Sequence, residues 1–201
     1  MNFLAHLLLA SDDEGLRLGA MLGDFVRGKR ALAEYDDGIQ RGIMLHRHID
    51  AYTDSLPAVC ELRSWFLPPF RRYGGIIIDL AFDYELANRW NSYSEISLEN
   101  FDQGVREMLA RHERELPERL MGFMRYADRR RLFTAYREES EILCSLKGIG
   151  RRLSRPNPLR RVQEIWGDFK PLVSACFEPA FDEIQSDVAK WLKSKSTITG
   201  S

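Results

Sequence analysis

The segment "GIMLHRHIDAYTDSLP" (Gly42–Pro57) decides between a helical and an extended reading of this chain. Residues four apart on an α-helix differ by only about 40° in direction, so Ile39, Ile43, His46, Asp50 and Asp54 fall on one stripe. A strand would instead alternate apolar and polar residues, and this segment does not. His48 lies about 160° round from His46 and faces elsewhere. Pro57 marks the start of the next helix.

The same logic applies to "IIIDLAFDYELANRW" (Ile76–Trp90). Three isoleucines in a row suit a strand, but the apolar pattern runs on too long without alternation. As a helix it aligns Asp79 and Asp83 with Ile76, Leu86 and Trp90. Outward from these two segments the periodicity stays helical. Helices are expected over Phe3–Ala10, Gly15–Gly28 after the N-terminal signal "SDDE", Asp36–Ser55 and Pro57–Trp65. The last stops before Pro68-Pro69, and "RRYGG" reads as a loop. Further helices are expected over Leu98–Tyr126, broken near Pro117, and over Asp128–Lys147. A basic loop "KGIGRRLSRPNP" then leads to Leu159–Leu192, which Pro171 and Pro179 should kink or divide. The expected fold is all-α: a single domain over 1–193, with a frayed tail over 194–201.

At 201 residues, 44% hydrophobic and 29% charged, the chain suits one globular domain and is too apolar for disorder. Cys60, Cys144 and Cys176 form no C-x-x-C pair and read as reduced, buried thiols. The start, "MNFLAHLLLASDDEG", lacks the basic region and long apolar run of a secretory signal. No run approaches the length of a membrane span. These features predict a cytoplasmic protein that engages no membrane. Arg111–Arg161 holds fourteen Lys/Arg against seven Asp/Glu, in a chain of net charge −1. Such a basic stretch is either solvated helix surface or a face for an acidic partner. No nucleic-acid-binding motif accompanies it.

Carboxylates set in apolar stripes need cations, hydrogen bonds or a metal. Structural ion pairs with Arg27 or Arg47 are one way to satisfy Asp50, Asp79 and Asp83. The other is a shared site. Asp24 sits in "LGAMLGDFVRG", where Gly23 and Gly28 permit close backbone approach. His6 stands on the otherwise apolar "FLAHLLLA". His6, Asp24, His46, Asp50, Asp79 and Asp83 are imidazole and carboxylate donors on early helices that can pack together. That donor set suits Mn²⁺, Fe²⁺ or Mg²⁺, and no zinc motif such as H-E-x-x-H is present. A metal so held activates water toward a phosphoryl centre, and Arg27 and Arg47 are candidate phosphate clamps.

"MNFLAHLLLA", "LGAMLGDFVRG", "GIMLHRHIDAYTDSLP" and "IIIDLAFDYELANRW" resemble, in order and spacing, the acyl-carrier-protein phosphodiesterases. That family is similar to the HD-type metal-dependent phosphohydrolases, so the resemblance implies an HD-like helical bundle. It also implies hydrolysis of the phosphodiester that links 4'-phosphopantetheine to a serine of holo-acyl carrier protein, with Mn²⁺ or Mg²⁺ required. The implied metal or water ligands are Asp24, His46, Asp50, Asp79 and Asp83, with His6 in or beside the set. Arg27 and Arg47 remain phosphate candidates by their chemistry. Acyl carrier proteins are acidic, which gives the basic stretch a purpose. Two positions depart from the family pattern: Tyr84 and Leu8 stand where many members have histidine. Two other readings remain open at this level. One is a metallo-phosphohydrolase of a small phosphoester or nucleotide; the other is a helical binding protein whose polar stripes are structural.

Overall fold

A computed structural model describes residues 2–113 and 116–196. Among them the chain forms eleven α-helices, three short 3₁₀ turns and no strand, so the all-α expectation holds. The remainder of the expected tail, residues 197–201, lies outside the described residues, as do Arg114 and Glu115 of the basic stretch.

The first half builds around two crossing helices. Asp13 caps α2 (Glu14–Leu22) by accepting the Leu16 N–H at 2.8 Å, and Asp36 caps α4 (Asp37–Ser55) by accepting the Ile39 N–H at 2.9 Å. The two helices meet backbone to backbone at Gly19 and Gly42. A Cβ on Gly19 would stand 2.3 Å from the Ile39 carbonyl oxygen, and one on Gly42 would stand 2.5 Å from that of Leu16. Only hydrogen at both positions allows this approach. Helix α1 (Phe3–Leu9) packs on α2 and on α6 (Gly74–Asn88), and α5 (Pro57–Ser64) follows α4 directly.

The expected helix over Gly15–Gly28 is two elements: α2 ends at Leu22, a turn follows, and a short α3 spans Gly28–Leu32. Asp24 therefore stands on a turn rather than on a helix. "RRYGG" is more ordered than expected, since Arg71–Tyr73 form a 3₁₀ turn and Gly74-Gly75 open α6.

In the second half, α7 (Leu98–Arg111) ends before Pro117, and α8 (Glu118–Arg130) starts directly after it, where its fixed φ and missing N–H are tolerated. Arg131 then adopts a left-handed conformation (φ 47°) and separates α8 from α9 (Leu132–Ala135). Helix α10 (Glu139–Arg152) absorbs much of the segment expected as a basic loop. Helix α11 (Gln163–Ser196) is one continuous element despite Pro171 and Pro179. Its buried row of Trp166, Phe169, Val173, Phe177, Phe181, Ile184 and Val188 packs against α4, α5 and α6. That burial outweighs a cost of about 3 kcal/mol per interior proline. Both prolines are exposed, and so are Gly167 and Ala175, whose carbonyls they leave unpaired; water can reach these groups.

Every helix but α3 places buried residues in one contiguous hydrophobic core, and α3 packs Ala31 and Leu32 against it. None of the cysteines is buried as expected: Cys60 is exposed, and Cys144 and Cys176 are partly so. Among the described residues no helix is long and apolar enough to cross a membrane.

Candidate active site

Four of the residues singled out by spacing converge where α1, α4 and the turn after α2 meet. His6 Nε2 stands 3.0 Å from Asp50 Oδ1, and His46 Nε2 stands 3.2 Å from Asp50 Oδ2. Asp24 Oδ1 lies 3.5 Å from His46 Nε2. The two imidazoles stack with centroids 3.9 Å apart and planes 15° from parallel. Both histidines are buried, while the Asp50 and Asp24 side chains are 42% and 63% exposed. The rings thus form an inner wall, and the carboxylates open outward.

The seat of His46 is built from the backbone. Its Nδ1 donates to the Ala20 carbonyl at 2.8 Å, which turns Nε2 toward the carboxylates. Gly23 clears the space, since a Cβ there would lie 2.2 Å from the imidazole Cγ. A ligand histidine commonly donates its second ring N–H to a backbone carbonyl, which fixes tautomer and ring orientation.

The electrostatics follow from this geometry. Burial opposes a charge on His46, but the hydrogen bonds and negative charges of Asp24 and Asp50 outweigh it and raise the pKa to about 9. Burial, reinforced by the neighbouring His46, lowers His6 to about 4. Burial works against the Asp50 carboxylate, yet the two imidazoles pull its pKa far down. The hydrogen bond from His46 likewise lowers Asp24, against a desolvation cost. The cluster therefore keeps two carboxylates ionised and places a proton between them on His46 Nε2. A divalent cation would replace that proton. His6, His46 and Asp50 each offer a ligand atom within 4.8 Å of the others, a two-imidazole, one-carboxylate set that fits a first-row divalent ion. Asp24 stands beside them as a further oxygen donor.

Asp79 and Asp83 divide between two tasks. Asp79 is half-buried and lines a cleft of about 540 Å³ together with Asp24, Asp50 and Asp54. Desolvation raises its pKa. Asp83 is fully buried and turned to α1, where Oδ2 accepts the Leu4 N–H at 3.0 Å and Oδ1 the Ala5 N–H at 3.1 Å. Burial lifts its pKa to about 7 against the pull of those two donors. Spacing alone groups Asp83 with the ligands; the structure uses both its oxygens to hold the first turn of the helix that carries His6. Asp83→Ala strands two buried N–H groups and is expected to cost about 2 kcal/mol of stability. The check is the urea midpoint, and an unchanged midpoint would contradict the assignment.

The arginines are also redistributed. Arg47 is exposed and donates to the Val26 carbonyl at 2.8 Å, bracing the turn that bears Asp24. Arg27 is exposed at the start of α3. Neither lines the cleft; Arg63, Arg71 and Arg72 do. Arg63 is held by Asp54 through Nη2 and lies over Gly75, and its buried Nε has no hydrogen-bond partner. The signals for these residues were the arginine pair opening "RRYGG" and an arginine on the helix after Asp54. Sequence spacing does not carry a residue of α5 back to α4.

His48 points away from the cluster, as its angular offset requires. It bonds Asp187 and stacks on Trp191 of α11. The two departures from the family pattern also face elsewhere. Tyr84 sits edge-on to Trp166 with Lys170 Nζ 5.1 Å from its ring centroid, and Leu8 packs half-buried against the core. The His6–His46–Asp50–Asp24 geometry involves neither.

The family described as acyl carrier protein phosphodiesterase matches residues 1–184. A protein named acyl carrier protein phosphodiesterase from Enterobacter sp. (strain 638) is 36% identical over 84% of this chain and 86% of its own length. Proteins of the same name from Serratia proteamaculans (strain 568) and Escherichia coli O6:K15:H31 (strain 536 / UPEC) are 37% and 35% identical. They cover 77% and 80% of this chain, and 80% and 83% of their own lengths. No solved structure matches. The matched span includes every residue of the cluster and of the cleft, and on that extent and identity the chain belongs to the acyl carrier protein phosphodiesterase family.

Proposed function

We propose that this protein is a metal-dependent phosphodiesterase that releases 4'-phosphopantetheine from holo-acyl carrier protein. The observation that carries the reading is the pair of stacked imidazoles turned onto Asp50 at the edge of a cleft that also presents arginines. Family membership supplies the substrate. His6, His46 and Asp50 would hold the divalent ion, with Asp24 as a further donor, and the imidazole content favours Mn²⁺ or Fe²⁺ over Mg²⁺. A bound ion supplies Lewis acidity at the phosphoryl oxygens and a water of lowered pKa.

The chain's own groups do the rest. Arg63, on the cleft wall, binds a non-bridging phosphoryl oxygen, with Arg71 and Arg72 on the same cleft. Asp24, outermost of the cluster, takes a proton from the attacking water. The P–O bond to the carrier serine breaks as the new P–O bond forms, and the serine oxygen needs a proton to leave. Asp79, lining the cleft with a raised pKa, gives it. Arg47 acts on the reaction only through the Asp24 turn, and Arg27 lies three residues beyond Asp24. Asp83 acts through α1. An HD-type kinship belongs to this reading, as does a cytoplasmic location, where holo-carrier proteins and reduced thiols would be found.

Incubation with holo-acyl carrier protein and Mn²⁺ tests the reading by mass spectrometry. Conversion to the apo form with release of 4'-phosphopantetheine is expected. Cleavage of small phosphodiesters but not of holo-carrier would point to a small-molecule hydrolase, and no turnover of either would refute the reaction. Gly23→Ala forces the His46 ring from its seat and is expected to lower kcat about 10²-fold. An unchanged kcat would show that the ring's place does not matter.

A further inference from the structure

The mouth of the cleft carries a surface that extends well beyond the residues needed to hold the metal and the phosphoryl group. Arg71 and Arg72 stand on the 3₁₀ turn before α6, beside Leu67, which is 73% exposed and whose carbonyl accepts the Arg71 N–H at 3.0 Å. Tyr73, the last residue of that turn, donates its hydroxyl to the Pro156 carbonyl at 3.3 Å. This contact joins the turn to the segment after α10, which holds Leu153 (37% exposed) and Arg155 and follows Arg151 and Arg152. Ile149, one turn earlier in α10, lines the same cleft.

Pairing and place together single these arginines out, since Arg119, Arg125, Arg129, Arg131 and Arg160 are also exposed without an acidic partner among the described residues but do not line the cleft. Arg111, Arg130, Arg137 and Arg161 are bound to Glu14, Glu141, Glu99 and Glu164. Arg71, Arg72, Arg151, Arg152 and Arg155 are exposed and, among the described residues, have no acidic partner. Like charges gathered without counter-charges repel one another, so a partner of opposite sign gains what the fold leaves unmet. Arginines around exposed leucines also match the composition of a protein interface, with an apolar centre and a charged rim.

We infer that Arg71, Arg72, Arg151, Arg152 and Arg155, with Leu67 and Leu153 between them, form the docking surface for an acidic protein. That protein presents its phosphodiester arm to the cleft. The identity of the partner as acyl carrier protein rests on the function proposed above; the surface itself rests on charge, exposure and its place at the cleft mouth. The docking charge is thus a subset of the 111–161 stretch plus two arginines outside it.

The test measures the Kd of apo-acyl carrier protein, which has no scissile bond, by calorimetry. Arg71→Glu/Arg155→Glu alters one residue on each side of the Tyr73–Pro156 contact, neither of them in an α-helix. Arg129→Glu/Lys190→Glu makes the same charge change on α8 and α11, which contribute no residue to the cleft. The rim variant is expected to bind about tenfold more weakly and the control within about twofold of wild type. Equal weakening in both variants, no weakening in the rim variant, or equally tight binding of a duplex oligonucleotide would overturn the inference. Circular dichroism confirms that each variant is folded. Hydrolysis of holo-carrier by the wild type, run in parallel, reports separately on the reaction. Docking without hydrolysis would keep the surface and remove the activity; hydrolysis with an unaffected rim variant would do the reverse.

Discussion

His46→Ala is expected to lower turnover of holo-carrier by more than about 10²-fold, while the helical fold is retained. Loss of a group that merely orients a metal ligand already costs 10–100-fold, and His46 is placed to be a ligand itself. It also stacks on His6, bonds Asp50 and supplies the positive charge between Asp50 and Asp24. Without it two carboxylates face each other with less cation to hold them, and His6 loses one wall of its position. His46→Gln keeps a polar side chain of similar reach but not the ring nitrogens, and it should be nearly as inactive. The measurement is kcat on holo-carrier and on a small phosphodiester at saturating Mn²⁺, with far-UV circular dichroism to confirm folding. Activity within about threefold of wild type would remove His46 from the chemistry.

The largest effect on stability is expected from Gly42→Ala. Its Cβ would lie 2.5 Å from the Leu16 carbonyl oxygen and 2.8 Å from the Cα atoms of Gly19 and Leu16. These are backbone atoms, which cannot rotate aside, so α2 and α4 must separate along their shared crossing. Overpacking of flexible side chains typically costs 1–3 kcal/mol, and a backbone obstruction belongs at or above the upper end, about 3 kcal/mol. For a chain of this size that shift lowers Tm by roughly 6–12 °C. The same displacement moves His46 relative to Gly23 and Ala20, so activity should fall with stability. A Tm within about 2 °C of wild type would show that the helices do not touch here.

Local periodicity was enough to place His46, Asp50 and Asp54 on one stripe and to turn His48 away, because helical angles depend only on spacing. The glycines around Asp24 mark it as a site residue, although periodicity alone reads the turn that carries it as helix. The break at Leu22 follows from how closely His46 approaches Gly23, and that is a tertiary fact. Asp83 shares a stripe with Asp79, yet α1 meets α6 there and claims its carboxylate through two backbone N–H groups. Nothing within either segment shows which helix end lies against the other. Arg63, Arg71 and Arg72 are not legible as site residues for the same reason: their place on the cleft depends on how α5 and the following turn fold back beside α4. The continuity of α11 through Pro171 and Pro179 went against a sound local rule, which the burial of its aromatic row overrides.

On the function proposed above, the two imidazoles and Asp50 hold a divalent ion. Crystals grown with Mn²⁺, with data collected for anomalous scattering, test it most directly. One strong anomalous peak is expected within coordination distance, about 2.0–2.3 Å, of His6 Nε2, His46 Nε2 and an Asp50 oxygen, and it should be lost in His46→Ala. A fully occupied peak elsewhere in the protein, with His6 and His46 uncoordinated, would contradict it.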